Sequence, residues 1–280
     1  MSLTQSAEWL NDAPRLTVLS LGAGVQSTTL ALMAARGEIP APDCAIFADT
    51  GWEPKAVYDH LDRLEAALPF PLYRVSAGNI RDSIVARRNT TGGRFASVPW
   101  FTLDPTGKKG MGRRQCTSEF KLKPIRQKLR DLAGAVPRQR LPIDSVKVLI
   151  GISTDEVSRM KPSRDRWIKN VWPLIDAGMS RQDCVRWMEE RQWKAPKSAC
   201  IGCPFHSNAM WRELRDLHPA EWADAVEVDR QLRQGNARGM RAEEYMHAAR
   251  IPLDEVDLST PEERGQSNLF ENECEGMCGV

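Results

Sequence analysis

Short apolar segments alternate with helix-forming segments along much of the chain, and this alternation is the feature that most limits its fold. The sequence predicts four buried strands, at 15–21, 43–48, 72–76 and 146–152. Helix patterns follow the first two strands, one ending at Gly37 and the next beginning after Pro54. Strands that alternate with helices form parallel sheets, because each helix returns the chain to the end of the sheet where the previous strand began, and the next strand then runs in the same direction. We therefore expect an α/β fold with a Rossmann-like, doubly wound parallel sheet.

The predicted α/β domain covers residues 1–198 and contains a basic insertion at about 81–140. Residues 199–280 are expected to form a helical C-terminal region with a Cys-x-x-Cys motif and an acidic tail. No apolar run approaches the roughly 18 residues that a membrane-spanning helix needs, so no membrane partner is expected. The first residues lack the basic start and apolar stretch of a secretory signal, which indicates a cytoplasmic protein.

The net charge of +2 conceals two oppositely charged regions. Residues 81–140 contain 15 Lys and Arg against 4 Asp and Glu, whereas residues 241–280 contain 3 against 10. Gly, Pro and Thr interrupt the basic region, so many of its cations are expected in loops. Cations held on loops favour a polyanionic partner, either nucleotide phosphates or a nucleic-acid backbone. A solvated surface explains the same charges, so charge alone does not decide between these interpretations.

The glycine-rich turn Gly22–Ser27 (GAGVQS) lies between the first predicted strand and helix and is a candidate anion site. Backbone N–H groups in such a turn, and the N-terminus of the following helix, attract phosphate. A side chain at Gly24 is expected to obstruct close approach of that phosphate. The turn is neither a Walker loop nor the dinucleotide motif G-x-G-x-x-G, because it lacks Gly-Lys-Ser/Thr and a third glycine. Many α/β proteins have a glycine turn here and bind nothing, so the turn alone leaves the ligand open.

Several segments in one order resemble the PP-loop ATP pyrophosphatase superfamily, specifically its phosphoadenosine-phosphosulfate (PAPS) reductase-like family, which is adenine nucleotide alpha-hydrolase-like. The glycine-rich turn stands where that family has SGGxDS, and the second strand ends in Asp49-Thr50-Gly51, as is common in the family. The later matching segments are RQCTSEFKLKP at 114–124, GISTDEVSR at 151–159, WPLID at 172–176 and CIGCP at 200–204. The resemblance spans about residues 15–235.

The resemblance implies that the α/β domain binds ATP with Mg²⁺. The positions that match this nucleotide site are Ser20, Gly22, Ala23, Gly24, Gln26, Ser27, Asp49, Thr50, Gly51, Gly151 and Arg159. Four positions depart from the family pattern: Gly22, Gln26, Ser153 and Val157. Because Gln26 replaces an aspartate, a negative charge near the nucleotide is lost. The resemblance therefore implies nucleotide binding more directly than nucleotide hydrolysis.

Cys200 and Cys203 form a Cys-x-x-Cys motif, and Cys116 lies in the basic region. The motif alone is typical of a redox dithiol or half a metal site, and it also arises by accident. Cations near Cys116 favour its thiolate form, which binds metals. In the resembling family, such cysteines hold a [4Fe–4S] cluster, which implies Cys116, Cys200 and Cys203 as ligands. Zn²⁺ held by thiolates is the alternative.

Two further cysteines, Cys274 and Cys278, lie in the acidic tail. One of them is expected either to supply a fourth cluster ligand or to act as the catalytic nucleophile or sulfur carrier. The second role follows from a faint similarity to the Glu-Cys-Gly tail of sulfonucleotide reductases, and the alternative is a tail without function. Alternatively, the three cysteines bind three of the four irons, and the fourth iron has no protein ligand and can carry a sulfide. Cys44 and Cys184 are expected to be core thiols.

Three functions remain open. The first is ATP-dependent sulfur transfer, in which a nucleic acid, tRNA or DNA, or a nucleotide is adenylated and then thiolated, with a cysteine desulfurase or other donor supplying sulfur. Its substrate is expected to bind to basic-region cations, namely Arg113, Arg114, Lys121 and Lys123. The second is reduction of a sulfonucleotide, and the third is nucleotide-dependent redox sensing without turnover. A homodimer is compatible with each of the three.

Overall fold

The computed structural model describes residues 15–88, 98–233, 242–260 and 263. The strands are β1 (Leu16–Ser20), β2 (Cys44–Asp49), β3 (Leu72–Ser76), β4 (Phe101–Leu103), β5 (Lys109–Met111), β6 (Val146–Ile150), β7 (Ile168–Val171) and β8 (Glu243–Tyr245). The α-helices are α1 (Val25–Ala35), α2 (Lys55–Ala67), α3 (Ile80–Ala86), α4 (Lys123–Leu132), α5 (Pro173–Asp176), α6 (Arg181–Glu189), α7 (Asn208–Leu217) and α8 (Pro219–Arg233). A π-helix spans Thr117–Leu122, and 3-10 helices span Thr154–Arg159 and Leu253–Glu255.

Five strands form a parallel sheet in the order β3-β2-β1-β6-β7. The chain runs from β1 outward to β3 and then returns to β6, on the other side of β1. Ser20 at the end of β1 is paired with Ile46 on one side and with Ile150 on the other. The carboxyl ends of β1 and β6 therefore flank the point where the strand order reverses, which is where doubly wound sheets bind ligands. The predicted Rossmann-like, doubly wound α/β fold is confirmed.

Alternate strand residues face the two sides of the sheet. Leu19, Phe47 and Leu149 are buried in a cluster with α1, α2, α5 and α6. Their neighbours Val18, Ile46 and Val148 are buried with Leu129 of α4 in a second cluster. This alternation follows from the two-residue period of a strand, and it explains why the three central strands, β1, β2 and β6, bury apolar residues on both faces.

The two predicted core thiols are confirmed as buried. Cys44 lies in β2 and Cys184 in α6, and both side chains are almost fully enclosed. Burial is the main cause that raises the pKa of each thiol to about 11. Both are therefore protonated, apolar members of the core at neutral pH.

A second, antiparallel sheet has the order β5-β4-β8 and joins the basic region to the C-terminal region. Phe101 in β4 is paired with Met111 in β5 and with Tyr245 in β8. A third buried cluster contains Trp100 and Trp211, from the two sides of residue 198. The division of the chain at residue 198 remains a prediction, and the acidic tail lies outside the described residues. Among the helices that the structure describes, none has the length and apolar character to cross a bilayer.

The pH dependence of stability is expected to reflect His60 in α2. Its Nε2 lies 2.9 Å from Thr28 Oγ1, and its ring meets Trp193 edge-on. Burial, followed by the charge of Arg63, lowers the pKa of His60 from 6.5 to about 4. A proton therefore binds the unfolded chain more readily than the folded protein between these two pH values.

The contribution of His60 to the free energy of unfolding should accordingly decrease as the pH falls below 6.5 and stop changing near pH 4, where folded His60 also becomes protonated. The slope from this residue is at most about 1.4 kcal/mol per pH unit. Urea unfolding at several pH values measures the slope. His60→Gln keeps a polar partner for Thr28 but does not titrate, so its slope should be shallower. Equal slopes in both proteins would show that His60 is not the cause.

Candidate functional site

The glycine-rich turn follows β1 and leads into α1. Gly22 N donates to Ser27 Oγ at 3.1 Å, and Ser27 Oγ donates to the Gly24 carbonyl at 3.3 Å. Ala23 has a φ of 59°, so the turn passes through the left-handed region. Gly24 is the N-cap of α1 and has no side chain to occupy the first amides of the helix. This geometry suits anion binding, because the helix N-terminus keeps its backbone donors available.

Gly151, directly after β6, packs against the start of α1. A β-carbon at residue 151 would lie 2.7 Å from Ser27 N and 2.9 Å from the carbonyl carbon of Gln26, so glycine is required here. A β-carbon at Gly24 would lie 3.7 Å from Ser198 Cβ, an ordinary contact. The steric constraint within the protein is thus at Gly151. The expected obstruction of phosphate by a side chain at Gly24 remains a prediction.

A polar network crosses from α1 to the 3-10 helix after β6. Gln26 Nε2 donates to Glu156 Oε2 at 3.0 Å and to Ser153 Oγ at 3.4 Å. Arg159 forms a salt bridge with the other oxygen of Glu156. Two predicted nucleotide-site residues, Gln26 and Arg159, are therefore connected through a carboxylate that the sequence analysis did not assign. Glu156 places a negative charge beside the turn, where Gln26 itself has none.

The turn Asp49-Thr50-Gly51 follows β2, next to β1 in the sheet. Asp49 Oδ1 accepts hydrogen bonds from Gly51 N at 2.7 Å and from Tyr58 Oη at 2.9 Å. Burial and then the bond to Asp49 raise the pKa of Tyr58, which remains a phenol. Gly51 has a φ of 72°, and its carbonyl accepts from Asn79 Nδ2 at 3.0 Å. Asp49 therefore fixes a glycine-dependent turn at the carboxyl edge of the sheet.

A cavity lies beside this turn. The predicted site residues that line it are Thr50, Arg114, Cys116, Lys121, Cys200 and Cys203. Aromatic side chains of Trp52, Trp100 and Phe205 form much of the remaining wall. The structure therefore brings together three cysteines from two distant parts of the sequence. The other two predicted substrate residues, Arg113 and Lys123, are exposed to solvent.

The Cys-x-x-Cys segment forms a tight turn that is attached to the loop after β2. Cys203 N donates to the Cys200 carbonyl at 3.0 Å, and His206 N donates to the Cys203 carbonyl at 3.2 Å. Ile201 N donates to the Trp52 carbonyl at 2.9 Å. A nearby side chain, Ser198 Oγ, donates to the Gly22 carbonyl. The cysteine turn is thus in contact with both predicted nucleotide-binding loops.

Glu53 is a buried carboxylate beside Cys200 that sequence reasoning did not identify. Its side chain is 1% exposed, and Oε1 accepts from Thr50 Oγ1 at 2.9 Å and from Cys200 Sγ at 3.4 Å. Lys121 Nζ lies 3.8 Å from the same oxygen, and Oε2 makes no hydrogen bond among the described residues. Glu53 therefore couples Cys200 to Lys121. Its position in the loop after β2, four residues beyond the end of that parallel strand, was a signal for a site residue.

The π-helix Thr117–Leu122 explains why Cys116 and Lys121 line the same cavity. Residues five apart point in different directions on an α-helix, which has 3.6 residues per turn. A π-helix has i→i+5 hydrogen bonds, so residues five apart lie nearly above one another. Lys123 N accordingly bonds to the Ser118 carbonyl, and the ordinary helix α4 begins there.

The assignment of three cysteines as metal ligands remains a prediction. Cys116, Cys200 and Cys203 share the cavity, and all three side chains are half-buried. Within the described parts of the chain, no three His, Cys, Asp or Glu side chains are grouped closely enough to hold a single metal ion. Thiolate ligands of a four-iron cluster stand farther apart, because each binds a different iron. Cys274 and Cys278 lie outside the described residues, so their predicted roles remain predictions.

His206 lies close to the cysteine turn and packs against Trp211, with ring centroids 4.6 Å apart. Its ring nitrogens make no hydrogen bond of normal geometry within the described part of the chain. Burial, and then the charge of Lys197, lower the pKa of His206 to about 4. The imidazole is therefore neutral at physiological pH, and its ring packs between the cysteine turn and Trp211.

The fold and the cavity at its carboxyl edge define a doubly wound α/β protein with a cysteine-lined site. The chain matches no protein-family model and no curated protein. Among solved structures, it is similar to phosphoadenylyl-sulfate (PAPS) reductase from Candida auris in a phosphate complex. That similarity has a TM-score of 0.43 and 13% sequence identity, and it covers 70% of this chain and 82% of that chain.

Proposed function

We propose that this protein is a PP-loop-type, nucleotide-binding enzyme that uses ATP to activate a nucleic acid for sulfur transfer and holds a [4Fe–4S] cluster. One observation supports this proposal above the others: Cys116, Cys200 and Cys203 line one cavity beside the Asp49-Thr50-Gly51 turn. Thiolates are the ligands that iron–sulfur clusters require. Ser198, two residues before Cys200, donates to the Gly22 carbonyl, so the cysteine segment is also attached to the turn suited to phosphate.

The donor set and the cavity wall fit such a cluster. The three thiols come from the start of the π-helix and from the cysteine turn, two segments held by separate backbone contacts. Apolar side chains, including Trp52, Ile80 and Phe205, form the adjoining wall and would limit access of water and oxygen. When bound, the cluster supplies a place for sulfur, with a fourth ligand still to be identified.

The chain's own residues provide binding and charge compensation. The amides of Gly22–Ser27 would bind the phosphates of ATP, while Arg114 and Lys121 at the cavity attract anions. In the proposed reaction, a carbonyl oxygen of the base attacks the α-phosphorus of ATP, and pyrophosphate leaves with its bridging oxygen. A sulfur nucleophile, supplied by a cysteine desulfurase or another donor, then attacks the activated carbon, and AMP leaves with the former carbonyl oxygen.

Pyrophosphate release by the anaerobically purified protein tests the proposal. We expect release from ATP only when tRNA or DNA is present, and mass spectrometry of the digested nucleic acid should detect a thiolated nucleoside. Sulfite release from a sulfonucleotide, without ATP use, would instead establish the reductase alternative. Nucleotide binding without either reaction would contradict the proposed enzyme and favour a sensor.

A further inference from the structure

A rigid hairpin projects from the wall of the cysteine-lined cavity. Its first strand, β4, follows the cavity residues Val98 and Trp100, and its second strand, β5, leads back to Arg114. Gly112 N donates to the Trp100 carbonyl at 2.8 Å and closes the base of the hairpin. Each strand has three residues, so the tip stands about 10 Å from the cavity wall. A molecule longer than one nucleotide that enters the cavity would therefore pass along this hairpin.

The tip of the hairpin is fixed by one carboxylate. Asp104 Oδ1 accepts from Thr106 N at 2.9 Å, from Thr106 Oγ1 at 2.7 Å and from Lys108 N at 2.9 Å. Arg250 also connects the strands, donating to the Thr102 carbonyl at 3.0 Å and to the Gly110 carbonyl at 3.1 Å. The hairpin is thus preorganised although its outer strand faces solvent.

Charge is distributed unequally across this small sheet. Strand β5 forms an edge and is exposed along its length, with Lys108 and Lys109 at its start. Met111, 45% exposed, adds an apolar surface to the same edge. On the other side of β4, β8 carries the exposed carboxylate of Glu243, whereas Glu244 is buried. A polyanion would therefore follow the β5 edge and avoid the β8 edge.

We infer that the β4–β5 hairpin binds a single-stranded or unpaired nucleic-acid strand, with phosphates at Lys108 and Lys109 and an unstacked base directed to the cavity. The inference rests on the proposed function for the identity of the reacting group and adds the form of the substrate. A stacked base pair cannot enter a cavity at the foot of a hairpin, whereas an extruded or unpaired base can. Aromatic cavity walls suit such a base, because every base has a face that stacks.

Fluorescence anisotropy with labelled single-stranded DNA and RNA of about 20 nucleotides, longer than the usual site of a single-strand-binding fold, tests the inference. The full-length protein, purified anaerobically, is compared with Lys108→Ala/Lys109→Ala. Loss of two phosphate contacts should weaken binding about tenfold near 0.15 M salt and lower the salt slope by about 1.4. The matched control is Arg138→Ala/Arg140→Ala, which removes the same charge from the loop before β6. That loop lies at the amino end of its strand, whereas the cavity lies at the carboxyl ends of the sheet. The control should change affinity by less than about threefold, because salt screens distant charges.

Equal losses in the two variants would show a general charge effect and overturn the inference. Unchanged affinity in the hairpin variant, with increased aggregation, would show that the lysines only protect an edge strand. Tighter binding of a duplex than of a single strand would overturn the unpaired substrate. These outcomes are separable from failure of the proposed function, since binding is measured without ATP. Pyrophosphate release that is equal in the hairpin variant and the wild type would leave the enzyme intact and remove only the hairpin's role.

Discussion

Replacing Cys116, Cys200 or Cys203 by alanine is expected to remove most of the iron and the visible absorbance of the protein purified without oxygen. The three thiols line one cavity, so each replacement leaves only two of them to hold a cluster. Mutation of residues that only hydrogen-bond to metal ligands lowers metal affinity by about 10–100-fold. Loss of a ligand itself should therefore lower the affinity for the cluster by more than about 100-fold. Iron and acid-labile sulfide per chain, measured beside the absorption spectrum, give the result.

Cys44→Ala and Cys184→Ala are the matched controls. Both thiols are buried in the sheet core, away from the cavity lining, so these variants should keep their iron while losing some stability. An unchanged iron content in Cys116→Ala would refute a site shared between the π-helix and the cysteine turn. Zinc in place of iron, without visible absorbance, would establish the alternative metal.

The two tail cysteines are tested in the same way. Loss of iron in Cys274→Ala or Cys278→Ala would identify that residue as the fourth ligand. Retained iron with lost thiolation would identify it as a sulfur carrier or nucleophile. Full activity in both variants would contradict every role proposed for the tail.

Gly202→Ala is expected to disrupt the cysteine turn and to lower the free energy of unfolding by about 3 kcal/mol, at the upper end of overpacking effects. A β-carbon at residue 202 would overlap the six-membered ring of Trp52 and would lie 3.1 Å from Met246 Cε. Trp52 cannot easily move, because its Nε1 donates to Asp224 Oδ2 at 2.7 Å and Asp224 is in turn bound by Arg81. The added methyl group must therefore displace the turn between the two cysteines. Thermal or urea unfolding and iron content measure both effects.

The double variant Trp52→Phe/Gly202→Ala distinguishes this clash from other causes. Phenylalanine is the smaller ring, so it makes room for the methyl group although it loses the bond to Asp224. We expect the double variant to be more stable than the sum of the two single effects, a coupling that neighbouring residues show and independent ones do not. Simple additivity would mean that Gly202 is required for a reason other than Trp52.

Most of the central sheet was predictable because its three central strands, β1, β2 and β6, bury apolar residues on both faces. The predicted strand at 72–76 coincides with β3. Strand β7 was missed, since Ile168–Val171 contains Lys169 and Asn170 between its two buried ends. The antiparallel sheet was also missed. Its strands have three residues each, too few to show a periodicity.

The candidate site was predictable only in part. The glycine-rich turn and the Cys-x-x-Cys motif are local patterns, so they are visible in the sequence. The proximity of Cys116 to that motif depends on the tertiary fold, and only the family resemblance suggested it. Glu53 and Glu156 were not assigned because a single acidic residue has no distinctive spacing. Their importance comes from burial and from their partners Cys200 and Gln26.

The π-helix makes one wall of the cavity sensitive to the number of residues in a segment as well as to their identity. Deleting one residue from Thr117–Leu122 would allow an ordinary α-helix to form. Because each residue of an α-helix turns by about 100°, the deletion would rotate Cys116 by that angle relative to α4. The buried face of α4 would keep its packing on the sheet. Conversely, inserting one residue into a continuous α-helix at this point would create the π-helix. One small insertion or deletion would thus decide whether Cys116 faces the cavity, with repacking confined to the buried Phe120 of the same segment.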